Sequence, residues 1–248
     1  RDYYASRGLG DVYKRQIQES VKFSNLGLAI VDEQHRFGVA QRLALRTPVQ
    51  SDHVPHLLML SATPIPRTLA MSYLADLDVS VIDELPPGRT PVVTKTVKAS
   101  RKDAVLSVVR GIVAEGRQAY WVCPLIEESD KLDLTPATAC RDELQRRLPD
   151  LTVGLVHGAM PPAEKDAVMQ DFTSGLTQIL VATTVIEVGV DVPNATLMVI
   201  EHAERFGLAQ LHQLRGRVGR GAAQSACVLL FGDDISPAGW ERLKTIRD

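Results

Sequence analysis

From Val92 to Phe231 the chain repeats one pattern, a short apolar run followed by a longer stretch with apolar residues at helical spacing. That repetition admits few folds. The runs 92–97, 118–122, 152–156, 178–182, 196–200 and 226–231 have the length of strands. Between them, 103–115 carries Val105, Val108, Val109 and Ile112 on one helical stripe, and 140–148 and 208–216 are also predicted helices. Pro161 and Pro162 open a further helix that ends near Gly175, since proline suits a first turn and glycine a stop. Another helix starts at Trp240. Strands that alternate with helices lie parallel, with helices on both faces. Such strands are apolar throughout because both of their faces are buried. The predicted class is α/β.

Upstream, 26–32 and 56–60 read as strands and 39–46 as a short helix. A helix runs from Pro66 to about Ala75, and 79–83 reads as another strand. Leu85-Pro86-Pro87-Gly88-Arg89 stops regular structure and reads as a linker. The first run ends in two adjacent carboxylates, Asp32 and Glu33. Ligands of open parallel sheets bind beyond the carboxyl ends of the strands. Two acids there suit a hydrated Mg²⁺, held by Asp32 through water, and a nucleophilic water oriented by Glu33. Neighbours on a strand point opposite ways, so both can serve only where the strand ends. A solvated acidic turn would look the same on these two residues alone. Gln34 and His35 after them, and Ser61-Ala62-Thr63 after the second run, favour the chemical reading.

Composition narrows the setting. The chain has 248 residues, net charge −2, 45% hydrophobic and 5% aromatic residues, ordinary for one or two soluble globular domains. It has neither an 18-residue apolar run nor a charged-then-apolar leader, so neither a membrane span nor a secretory signal is expected. Cys123, Cys140 and Cys227 are too scattered for a metal knuckle and predict reduced thiols in a cytoplasmic protein. The near-neutral charge hides a basic cluster, Arg205, Arg215, Arg217 and Arg220.

VDEQH followed by LSATP resembles the DExH box and the SAT motif of superfamily 2 helicases. The longer strings DEQHRFGVAQR, SATPIPRTLA and IDELPPGRTPVVT resemble the RecG family of branch-migrating DNA helicases, and the likeness runs from about Val21 to the end of the chain. The resemblance implies two RecA-like parallel-sheet lobes, the first incomplete. Residues 1–16 read as a non-native leader, 17–88 as the second half of lobe 1 with its linker, 89–232 as lobe 2, and 233–248 as the start of a helical region. It further implies a monomeric, cytoplasmic, ATP- and Mg²⁺-dependent helicase acting on branched DNA, such as stalled forks and Holliday junctions, in recombination and repair. By motif position His35, Gln34, Ser61 and Thr63 would couple the ATP state to the facing lobe.

The stretch QLRGRVGRG, 213–221, is similar to helicase motif VI. If it is helical, Gln213, Arg217 and Arg220 share one face, where a nucleotide's γ-phosphate is the natural partner of two guanidiniums. Gly216 and Gly219 each cost a helix about 1 kcal/mol, which suggests close approach to something. Arg220 would be the main finger and Arg217 its partner. Residues 182–191 are similar to motif V. There Thr183 and Thr184 would offer donors to a DNA phosphate, or cap a helix, or both. Gly189 allows close approach, and Asp191 would face the ribose or the arginine pair. His157-Gly158 and the run 120–124 are similar to motifs IV and IVa, with a DNA-backbone contact and a local turn both open for His157.

A G-x-x-x-x-G-K-[ST] phosphate loop is not found. Gly8 and Lys14 imitate one, but Tyr13 and Arg15 occupy its second glycine and hydroxyl positions. The chain is therefore expected to be an internal part of a helicase and inactive alone. Two alternatives are a transcription-repair coupling DNA translocase and a non-catalytic nucleic-acid-binding module. His35 and the LPPGRT linker argue against the first, and the complete acid and arginine sets argue against the second.

Overall fold

The computed structural model describes residues 26–32, 55–61, 78–84, 90–124, 134–183, 192–221 and 223–247. The chain divides into two compact units, Arg1–Val81 and Ile82–Asp248.

In the first unit β1 (Leu28–Val31) pairs in parallel with β2 (His56–Met59), with Leu28 opposite His56 and Val31 opposite Met59. Ala29 and Val31 are buried together, whereas Leu28 and Ile30 on the other face are 54% and 60% exposed. The expected strand over 79–83 does not form. Residues 78–83 have no strand pairing, and Val79, Val81 and Ile82 are exposed. A run of β-branched residues has strand propensity only where a neighbouring strand accepts it. The helices expected at 39–46 and from Pro66, and the linker 85–89, lie outside the described residues.

The second unit is one all-parallel sheet of six strands in the order β3-β8-β7-β4-β6-β5. These are β3 (Val93–Lys98), β4 (Gln118–Val122), β5 (Val153–Val156), β6 (Ile179–Ala182), β7 (Ala195–Ile200) and β8 (Ala226–Phe231). The helices are α1 (Lys102–Ala114), α2 (Leu134–Arg147), α3 (Pro162–Thr173), α4 (Leu208–Arg215) and α5 (Pro237–Arg247). Alternate residues of each strand feed two cores, as a period of two requires. Trp121, Val181, Val199 and Leu230 pack on one face with Val109 of α1 and Leu144 of α2. Tyr120, Leu180, Met198 and Leu229 pack on the other with Phe172 of α3, Leu211 of α4 and Leu243 of α5. The division follows from handedness: crossovers that step one way along a parallel sheet place their helices on one face, and those that step back use the other.

Local chemistry sets the helix ends. After α1, Gly116 takes φ +78°, Arg117 N–H donates to the Ile112 carbonyl (3.0 Å) and Gly116 N–H to the Val113 carbonyl (2.9 Å). This is the Schellman pattern that a left-handed glycine makes cheap. Gly175 (φ +84°) ends α3 with a related turn, in which its N–H donates to the Phe172 carbonyl (3.1 Å) and Thr177 N–H to the Asp171 carbonyl (3.1 Å). Helix α2 starts at Leu134, six residues before the expected start at Cys140. Pro136 falls in its first turn, where a missing N–H costs nothing. No described helix is long and apolar enough to cross a membrane.

Candidate functional site

The first candidate set begins at the carboxyl ends of β1 and β2. Asp32 follows Val31 directly and is exposed. Leu60 N–H donates to the Val31 carbonyl (2.8 Å), so Ser61 lies at the same end of the neighbouring strand. The pairing register therefore places Asp32 and Ser61 at the same end of adjacent strands. Both offer hard oxygens, and an exposed carboxylate suits a hydrated Mg²⁺, which keeps several of its waters. Glu33, Gln34, His35 and Thr63 lie outside the described residues.

The second set is at the carboxyl ends of β5 and β6. His157 follows β5 and Thr183 follows β6, and these strands pair with Val156 opposite Ala182. Thr183 is buried, and its N–H already donates to the Val156 carbonyl (3.3 Å). The expected backbone donor at Thr183 is thus consumed by the sheet, and only the hydroxyl remains. Thr183 Oγ1 and His157 Nδ1 are buried polar atoms with no hydrogen-bond partner among the described residues. Such atoms cost about 1–3 kcal/mol each unless something satisfies them. Burial, and secondarily the charge of Lys165, lower the pKa of His157 and favour its neutral form. Gly158 has a local role, its carbonyl accepting a bond from Lys165 Nζ (2.7 Å). Thr184, Gly189 and Asp191 lie outside the described residues.

The arginine set departs from expectation. Helix α4 stops at Arg215, so Gln213 stands exposed on the helix while Arg217 and Arg220 belong to the turns beyond it. They do not share a helical face. Gly216 caps the helix, Val218 is fully buried, and Gly219 takes φ +79°. A Cβ at Gly219 would lie 2.7 Å from Val92 Cγ2, and one at Gly221 would lie 2.9 Å from the Pro193 carbonyl oxygen. The close approach suggested by the glycines is therefore to the chain's own segments. Val92 precedes β3 and Pro193 precedes β7, so this turn is seated at the amino end of the sheet, opposite His157 and Thr183. Arg220 Nε donates to the Gly216 carbonyl (3.4 Å). Arg215, by contrast, is a structural residue: its guanidinium bonds the Ile246 carbonyl of α5 (2.9 Å).

One charged group escaped the sequence reading. Lys102 Nζ lies 2.8 Å from Glu143 Oε2 and 2.7 Å from Glu201 Oε1, and 5.5 Å above the Trp121 ring. Burial opposes its charge, but Glu143 and Glu201 outweigh it and hold the lysine pKa above the ordinary value. Nothing local in the sequence could reveal this cluster, because its members come from the starts and ends of four separate elements.

Several known proteins are similar to this chain. The helicase conserved C-terminal domain family matches residues 101–222. The ATP-dependent DNA helicase RecG of Escherichia coli strain K12 is 60% identical over 233 residues, 93% of this chain and 34% of that protein. The chain thus spans about a third of the length of the curated relatives it matches. A solved structure of RecG bound to a three-way DNA junction is 47% identical with a TM-score of 0.73, covering 93% of this chain and 29% of that one. The Mycobacterium smegmatis helicase Lhr, solved with ssDNA and AMP-PNP, has a TM-score of 0.60 at 20% identity and covers 90% of this chain and 31% of that one, a likeness of fold.

Proposed function

We propose that the chain is part of a RecG helicase, to which it is 60% identical over 93% of its length, and that it forms the ATP-hydrolysing and DNA-tracking part of an enzyme that remodels branched DNA, including stalled forks and Holliday junctions. Residues 17–88 supply part of the first RecA-like lobe, 89–232 the second, and 233–248 the start of a helical region, with 1–16 read as non-native.

Asp32 would hold a hydrated Mg²⁺ through water, and the ion would supply charge neutralisation at the phosphates. Glu33 orients the attacking water and takes its proton. Arg220 and Arg217 bind the γ-phosphate, for which a planar, permanently charged fork is the suitable group. Gln34, His35, Ser61, Thr63, Gly189, Asp191 and Gln213 relay the nucleotide state. His157, Gly158, Thr183 and Thr184 address DNA phosphates. These groups read the backbone rather than base edges, so recognition follows the structure of the DNA and not its sequence.

The observation that carries the DNA assignment is the pair of buried polar atoms on His157 and Thr183, side by side at the carboxyl ends of β5 and β6. A phosphate oxygen can satisfy a hydroxyl and an imidazole N–H. A hydrogen bond to a charged group contributes about 1.5–3 kcal/mol. The test is fluorescence anisotropy of the chain on a three-way junction and a matched linear duplex at two salt concentrations. The double variant Thr183→Val, His157→Ala removes two such bonds and is expected to lose roughly 10²- to 10⁴-fold in affinity on both DNAs alike. Unchanged affinity in a folded double variant overturns the assignment.

A further inference from the structure

Beside the Lys102 cluster, whose Glu201 takes part, three metal-ligand side chains converge on one face of the second unit. Cys123 follows β4, Cys140 sits in α2, and Glu201 follows β7, so three elements distant in sequence meet there. One ligand atom from each lies within 4.8 Å of the others. Both thiols are free and buried, at 1% and 5% exposure, while the Glu201 side chain at 17% leaves a route to solvent.

We propose that Cys123, Cys140 and Glu201 bind a thiophilic divalent cation of the zinc class, which ties α2 to the ends of β4 and β7. The donor set decides the class. Two sulfurs and one oxygen suit Zn²⁺, whereas Mg²⁺ and Ca²⁺ require oxygen. Three protein ligands leave the fourth tetrahedral position to a water or an incoming group. Charge also balances. Two thiolates and a carboxylate around Zn²⁺ carry one net negative charge, which the Lys102 ammonium, 2.7 Å from Glu201, offsets, while Arg147, 3.3 Å from Glu143, offsets that second carboxylate. Lys102 is then the outer partner that orients the carboxylate, a role usual around metal sites. Glu143 in turn fixes Lys102 (2.8 Å).

The position has a structural logic. The chain leaves β4 toward the face that carries α2, and leaves β7 toward the face that carries α4. Adjacent strands whose connections diverge open a crevice at their carboxyl ends, where open α/β sheets hold ligands. Cys123 and Glu201 stand on its two sides, and Glu201 N–H donates to the Val122 carbonyl (2.8 Å) to keep them level.

The test uses the full chain, reduced and stripped with a chelator. Zn²⁺ is titrated calorimetrically, and Co²⁺ is followed by absorption. One equivalent is expected to bind at about 1 µM or tighter, and the Co²⁺ form is expected to show sulfur-to-cobalt charge transfer. Cys140→Ser is expected to abolish that absorption. Lys102→Met is expected to keep the absorption and weaken affinity by roughly 10–100-fold. If Cys140→Ser does not fold, the spectrum of the unsubstituted chain decides alone. Binding below one equivalent, a Co²⁺ spectrum without sulfur character, or a Cys123–Cys140 disulfide that forms in air with Zn²⁺ present would each overturn the proposal.

Discussion

The two ends of the six-stranded sheet satisfy their polar groups in different ways. At the amino end Gln118, 2% exposed, donates to the Thr177 carbonyl (2.7 Å) and the Phe172 carbonyl (2.5 Å), and Asn194 Nδ2 donates to the Gly116 carbonyl (2.7 Å). Gln178 Oε1 accepts the Thr152 N–H (2.8 Å). Amide side chains there close the loops by bonding backbone that the sheet leaves unpaired. At the carboxyl end Thr183 Oγ1 and His157 Nδ1 are buried and unsatisfied among the described residues. Thr94 Oγ1, at the start of β3, is likewise buried with no partner among the described residues, so the amide-closed loops and not the whole amino end are saturated. The arginine turn is the exception, a functional candidate seated at the amino end.

That exception gives the largest expected effect. In the RecG-length protein, Arg220→Ala should lower DNA-stimulated ATP turnover by about 10³ to 10⁵, equivalent to about 4–7 kcal/mol. The melting temperature should stay put, because an exposed substitution rarely moves stability by more than about 0.5 kcal/mol. Steady-state phosphate release and a thermal melt on the same sample decide it. Normal turnover would leave the amino end purely structural and the contrast complete.

Next comes Gln118→Met, which removes two buried hydrogen bonds at the amino end. A loss of about 1–3 kcal/mol in urea unfolding is expected, with DNA affinity per folded molecule unchanged. A neutral result would show that the amide network is dispensable. Thr183→Val should do the reverse. It removes an unsatisfied buried hydroxyl, so stability should hold or rise by about 1 kcal/mol while DNA binding weakens. Lost stability would mean that the hydroxyl is satisfied within the protein.

The smallest effect is the pH dependence of His157. Its folded pKa is lowered, so the unfolded chain binds the proton more readily. Its contribution is present above the ordinary histidine value of about 6.5 and is lost as the pH falls through the lowered value. Unfolding free energies measured on either side of that window should fall toward acid less steeply in His157→Gln. Equal slopes would place the titrating group elsewhere, with His212, also lowered by burial and then by Arg215, the first alternative.

Local pattern made most of the second unit legible. The run 118–122 is β4 without adjustment, and 226–231 is β8. A strand buried on both faces has to be apolar throughout, and glycine and proline mark its neighbours' ends. What depended on partners was not legible. Val79–Asp83 carries a strand's composition yet has no pairing. The shared face expected for Gln213, Arg217 and Arg220 failed because Gly216 and Gly219 serve a turn packed on Val92 and Pro193. Asp32 with Ser61, and His157 with Thr183, were recoverable because each follows a strand, and parallel strands deliver their following residues to one end. The cluster around Lys102 joins residues some forty and a hundred positions apart, a distance that no periodicity spans.

The order of strands in the sheet also fixes an order of events. β3 enters the chain first among the six but lies at the edge, and its described strand neighbour is β8, with Val93 opposite Ala226. Closing that pair spans more than 130 residues, while β5 and β6 meet across one helix hairpin. In a chain growing from its amino end the β4-β6-β5 side is expected to assemble first, with β3 an unzipped edge until the last strand arrives, because topologies with such distant pairings fold slowly; pulsed hydrogen exchange during refolding that protects β3 before β5 would contradict this order. Joining the end of α5 to the start of β3 in a circular permutant of this unit, with α5 in the crossover that a parallel pair requires, would make that pairing local.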